Sequence, residues 1–233
     1  MKNTFQPKYN FYQLKPAIFL IEIDGNCDLA YSFLRVQEFY ESVNDSIRGN
    51  SFTIEQYKDW YCSQSKTGTF SYGEDWKGFN VSSNIIKECY EVNSERTKED
   101  KFFLSICEKA EMLSKRSGFD SYYLLGVRKG DTKTLDHEIA HGLFTTNHEY
   151  RQIMTEAVAS IDSNVIEPMF KDLTAIGYGP NVHIDEAQAY LSTGLRKSQE
   201  TEAIISLTSK FKGIFKAFLG DWVQPEPMFE GIV

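Results

Sequence analysis

Leu135-Asp136-His137-Glu138-Ile139-Ala140-His141-Gly142-Leu143-Phe144 contains two histidines four positions apart with a carboxylate between them. In an α-helix that spacing stacks both imidazoles on one face, where they can reach a single ion. No proline interrupts the run, and Leu135, Ile139 and Ala140 give it an apolar back on which to pack. Zinc held by three protein ligands keeps a water whose pKa falls to about 7, and an adjacent carboxylate can take its proton. His137 and His141 are therefore candidate metal ligands, and Glu138 is the candidate general base. The plainer reading is a helix that uses two histidines in a buried polar network.

On either side of this stretch the apolar pattern changes period. Before it, Tyr122 to Val127 reads as a strand, joined to the motif by the polar connection Arg128 to Thr134. After it, two helical patterns run from Asn147 to Gly177. A short Val182-His183-Ile184 segment then introduces a helix starting near Asp185 and ending at Gly194. A last amphipathic helix covers Thr201 to Leu219, and a tail with Pro225 and Pro227 follows.

Toward the N-terminus, a polar leader precedes Ala17 to Ile23, whose β-branched residues and following Asp24-Gly25 turn predict a strand. Leu29 to Tyr40 reads as a helix. Thr53 and Gln56 stand at capping-box spacing and open another toward Tyr61. Ser63 to Asn80, rich in Gly, Ser and aromatics and including Trp76, reads as a long loop with one short strand. Ser82 or Ser83 caps a helix through Tyr90. Thr97 to Asp100 opens a longer one, with Phe103, Ile106, Ala110 and Leu113 at helical spacing and Gly118 at its end.

The expected fold class is α+β: a small mixed sheet, the active-site helix and several further helices, in one domain over 1–233. Within it, 1–118 forms an elaborated N-terminal half, 119–195 the metal-site core, and 196–233 the C-terminal helix and tail.

With 233 residues the chain is long enough to bury a full core, and 41% hydrophobic against 25% charged residues is ordinary for a globular protein. The formal charge of -8, with no dense Lys/Arg run, argues against a nucleic-acid partner. The apolar run at Ala17 to Ile23 is short, follows Pro16 and contains Glu22, so no signal-peptide core is expected. No stretch approaches the roughly 20 apolar residues of a bilayer span, so no membrane partner is expected. Cys27, Cys62, Cys89 and Cys107 are scattered without metal-site or disulfide-framework spacing, which predicts reduced thiols and a cytoplasmic location.

Leu135 to Phe144 resembles the active-site helix of the zincin metallopeptidases, and the resemblance extends loosely over Tyr122 to Gly194. It implies that His137 and His141 bind zinc, that Glu138 is the base, and that the strand Tyr122 to Val127 lines the substrate cleft. The metzincin pattern HExxHxxGxxH is absent: His148 falls one position too late and Phe144 stands where glycine is required. A gluzincin-like arrangement is the better match. It implies a glutamate from a later helix as third ligand, and Asp185-Glu-Ala-Gln-Ala-Tyr-Leu191 offers Glu186.

Glu156, Glu149, His148 and His183 are competitors for the third position. Where many gluzincins carry a carboxylate that orients a ligand histidine, this chain has Tyr190, and Asp185 is the available substitute. Tyr190 and Tyr178 are the candidates for a donor to the developing oxyanion. The expectation is a zinc metallopeptidase acting on a peptide or protein substrate, with the peptide added alongside the Tyr122 strand. A zincin-like interaction or regulatory module without turnover is the alternative, and hydrolysis of a non-peptide amide would use the same site chemistry.

Overall fold

Two features of the N-terminal sequence build the sheet. Lys8–Lys15 (β1) and Ile18–Ile23 (β2) form an antiparallel hairpin about Pro16-Ala17, with Phe11 opposite Ile21. The computed structural model in which this is seen describes residues 5, 7–176, 178–220 and 225–232. β1 corrects the expected polar leader. Its Tyr9 and Phe11 are buried while the intervening Asn10 is only half-buried, and Lys8, Gln13 and Lys15 disguise the apolar face in the sequence.

The sheet has the order β3-β4-β2-β1-β5, where Gly78–Ser82 is β3, Tyr123–Arg128 is β4 and Phe229–Ile232 is β5. β5 lies in the proline-containing tail, where no element was expected. Its four residues are too few to show a period, and pairing with β1 is what makes it a strand. β4 runs parallel to β2 and antiparallel to β3, so the sheet is mixed.

That pairing overturns one expectation. Tyr123 to Val127 is in register with β2 on one side and β3 on the other, so both edges of this strand already carry sheet partners. A peptide cannot add alongside it by backbone pairing, because strand addition needs an open edge.

The chain divides into two compact units, Met1–Asp131 with Pro225–Val233, and Thr132–Gln224. The expected 119–195 core straddles this division. The first unit holds the sheet and the helices Asn26–Glu41 (α1), Ile54–Gln64 (α2), Tyr72–Asp75 (α3), Ser83–Val92 (α4) and Lys98–Arg116 (α5). Thr53 and Thr97 close reciprocal capping boxes at α2 and α5, and Ser82 caps α4. The Ser63–Asn80 stretch carries α3 as well as the start of β3. Phe33 of α1 stacks on Phe79 of β3 at 5.2 Å and meets Phe103 of α5 edge-on at 4.9 Å.

At the centre of this unit Arg35 is 1% exposed. Its guanidinium takes Asp100 in a fork at 2.9 Å and also donates to Glu95 and to the Phe52 carbonyl, each at 2.8 Å. One side chain thereby ties α1 to the segments that lead into α2 and α5. Burial acts to raise the Asp100 pKa, but Arg35, the Thr97 N–H and Tyr90 outweigh it and hold the carboxylate below its ordinary range.

The second unit is helical: Thr132–Thr146 (α6), His148–Ala159 (α7), Ser163–Ala175 (α8), His183–Thr193 (α9) and Glu202–Leu219 (α10). α9 starts two residues earlier than expected, directly after a 3-10 turn at Pro180–Val182. It touches all four of the other helices, with Ala187, Gln188, Ala189 and Leu191 fully buried. Small residues on a central helix allow that close approach. Among the described residues all four cysteines are free, and no helix is long and apolar enough to cross a membrane.

Two substitutions test this packing. A Cβ at Gly126 would lie 2.5 Å from Phe33 Cε2, so Gly126→Ala is expected to cost about 1–3 kcal/mol, read from the urea midpoint. Arg35→Met strands Asp100 and is expected to cost about 3–5 kcal/mol, whereas Arg35→Met with Asp100→Asn loses less because no buried charge remains unpaired there.

Candidate metal centre

Two helices of the second unit, α6 and α9, carry the candidate site. Along α6 the positions 137 and 141 share a face. Along α9 the positions 186, 190 and 193 do so, at the i, i+4, i+7 spacing. His137 meets Tyr190 and Thr193, while His141 meets Asp185 and Glu186, so the helices pack antiparallel across the site.

His137, His141 and Glu186 offer ligand atoms that all lie within 4.8 Å of one another, a group that could hold a metal ion. The two Nε2 atoms are 3.2 Å apart, and Glu186 oxygens stand 3.8 Å from His137 Nε2 and 3.6 Å from His141 Nε2. Ligands bound tetrahedrally at about 2.0–2.1 Å are separated by about 3.3 Å, so the spacing suits one such ion.

The remaining ring nitrogens are committed elsewhere. His141 Nδ1 is 2.9 Å from Asp185 Oδ1, and His137 Nδ1 is 3.3 Å from Thr193 Oγ1. Thr193 donates its own proton to the Ala189 carbonyl, which leaves its oxygen to accept from the imidazole. With both Nδ1 atoms donating, both Nε2 atoms present lone pairs to each other, and only a cation or a proton between them relieves the repulsion. The donor set fits a divalent metal of the zinc type.

Electrostatics in the metal-free site follow the same logic. Burial, and then the charge of His141, push the His137 pKa well below its ordinary value. Burial works against charge on His141 too, but Asp185, Glu186 and Glu138 overcome it and hold that imidazole well above its ordinary value. Glu138 is itself only 5% exposed. The Tyr190 ring lies 4.7 Å from that of His137, and burial, followed by Glu186, raises its phenol pKa despite a hydrogen bond with Arg196. The phenol therefore stays protonated and able to donate.

The competing residues are placed elsewhere. His148 and Glu149 are exposed at the start of α7, and Glu156 is exposed and accepts from Gln152 at 3.0 Å. His183 stacks on Phe170 at 5.2 Å, with Nε2 directed at Thr174 Oγ1 and the Tyr178 carbonyl. Tyr178 lies on the segment between α8 and α9, half-buried.

Sequence reasoning missed Thr193, whose only signal is its place one turn beyond Tyr190 on the stripe begun by Glu186. It also missed Arg196, which lies beyond the end of that helix. Compared with known proteins, the chain matches no family model, no curated protein and no solved structure.

Two measurements test the site. Asp185→Ala frees the Nδ1 of His141 and is expected to weaken metal binding about 10–100-fold, read by competition with a chromophoric chelator. Since a metal must displace the proton that the raised pKa keeps on His141, affinity should rise with pH until that proton is lost. Metal addition in weak buffer should release protons.

Proposed function

We propose that this protein is a zinc-dependent hydrolase of peptide bonds. The observation that carries the reading is the pair of imidazole Nε2 atoms 3.2 Å apart, each with its other nitrogen engaged and Glu186 closing the group. Bound there, zinc would supply Lewis acidity toward a carbonyl and lower the pKa of a water.

The chain's own groups divide the remaining work. His137, His141 and Glu186 would hold the metal, and Asp185 and Thr193 would keep the two imidazoles turned toward it. Glu138, one residue beyond His137 on α6 and shielded from bulk water, would take a proton from the attacking water and return it to the leaving amine. Tyr190 beside His137 would donate from its phenol to the oxyanion as charge develops. The buried setting strengthens these interactions by excluding competing solvent.

The choice of a peptide or protein substrate rests on the resemblance of Leu135 to Phe144 to the zincin active-site helix, and four free thiols support a reducing, cytoplasmic setting. Elemental analysis of wild type beside His137→Ala and Glu186→Ala is expected to find about one zinc per chain in the first and a sharp loss in both variants. Equal metal in all three refutes the site. Glu138→Gln should keep its metal and lose hydrolysis of a labelled peptide library by about 100-fold or more. If the library is cut equally well by that variant, Glu138 is not the base.

A further inference from the structure

We infer that Gln188 and Tyr150 are positioning residues for the metal site, acting on it through Asp185. The inference rests on the proposed metal-binding reading and goes beyond it to two residues of the second unit that are not among the candidate ligands. Tyr150 projects from α7, and its hydroxyl donates to Gln188 Oε1 at 2.8 Å. Gln188 Nε2 donates to Asp185 Oδ1 at 3.0 Å, the same oxygen that faces His141 Nδ1 at 2.9 Å. A phenol, an amide, a carboxylate and an imidazole thus form one chain that ends on a candidate ligand.

The direction of each link is set by chemistry. The Asp185 Oδ1 atom accepts from Gln188 Nε2, so the amide turns its NH2 toward the carboxyl group. The amide oxygen is then left facing α7, where it needs a donor, and the Tyr150 hydroxyl supplies one. Reversing the amide would set its oxygen against the carboxylate oxygen at hydrogen-bond distance with no proton between them. The chain therefore has one satisfied arrangement, and that arrangement holds Asp185 Oδ1 toward His141.

Burial makes the chain hard to explain as packing alone. Gln188 and Tyr150 are each 0% exposed. A fully buried amide costs free energy unless it is hydrogen-bonded, and an apolar side chain of similar volume would fill the same space without that requirement. Asp185 is by contrast in the first turn of α9, with its side chain 23% exposed. Water can compete there for the carboxylate, and a second hydrogen bond from inside the unit is what keeps it directed at the imidazole. Ligand histidines respond strongly to the groups that fix their free nitrogen.

The test compares zinc affinity in wild type, Tyr150→Phe, Gln188→Met and the same two changes made in an Asp185→Ala background. Affinity is measured by competition with a chromophoric chelator, and the absorption of the cobalt-substituted protein is recorded alongside. Tyr150→Phe removes a single oxygen and keeps the ring, so folding is preserved. Thermal unfolding in chelator checks this for each variant. The expected result is a loss of zinc affinity of roughly 3–30-fold for each single change, with a shifted cobalt spectrum. Once Asp185 is gone, neither change should weaken binding further, because the route to His141 has been cut.

Wild-type affinity in Tyr150→Phe and Gln188→Met overturns this inference alone and leaves the metal site standing. Equal losses with and without Asp185 also overturn it, since the two residues would then act as general supports of the unit. Failure of the wild-type protein to bind zinc or cobalt overturns the proposed function and this inference together.

Discussion

Two imidazole nitrogens of α6 face each other across 3.2 Å, and the groups that hold both rings in place come from α9. Lone pairs at that distance repel unless something positive lies between them. Each ring is nevertheless turned inward, because its other nitrogen is engaged by α9, at Asp185 for one and Thr193 for the other. The antiparallel alignment of the two helices is what brings 137 to 193 and 141 to 185 together. A metal ion would take the place of the proton that His141 keeps without it and tie both imidazoles to Glu186 of α9, so binding at the site and close packing of these helices are expected to support each other.

Around that contact the second unit concentrates its polar groups where packing is tightest. α9 combines fully buried Ala187, Ala189 and Leu191 with the equally buried Gln188. The small residues let neighbouring helices approach, and the amide then needs partners at defined positions. Specific hydrogen bonding inside a close-packed core is a stringent constraint, because side chains there have little room to adopt another rotamer. The first unit follows the same principle with different chemistry, through Arg35 and its carboxylates. In both units a buried polar centre is satisfied by several elements that are distant in sequence.

Much of the architecture was legible because it rests on local rules. Thr53 with Gln56 and Thr97 with Asp100 close their capping boxes at the positions their spacing indicates, and Ser82 and Thr201 cap as their residue types suggest. Ala17 to Ile23 and Tyr122 to Val127 carry continuous apolar runs and locate β2 and β4, two of the three inner strands. β1 and β5 were illegible for the opposite reason. One alternates under a cover of lysines, the other has only four residues, and each becomes a strand through pairing. Likewise, nothing local to Tyr122–Val127 indicates that both of its edges are taken.

What the chain's order of residues dictates unaided is the pairing of His137 with His141 on one helical face, with Glu138 beside them, since a helix repeats every 3.6 residues whatever surrounds it. The same rule puts Glu186 and Tyr190 on one stripe, and Thr193, which the sequence reading passed over, lies one turn further along it. Which carboxylate joins the histidines is a different kind of question. Glu186 rather than Glu156 comes within reach only because α9 lies against α6, and Asp185 takes the orienting position only through that helix's rotation. Contacts across 45 residues of sequence depend on how helices are packed, and no local period encodes that.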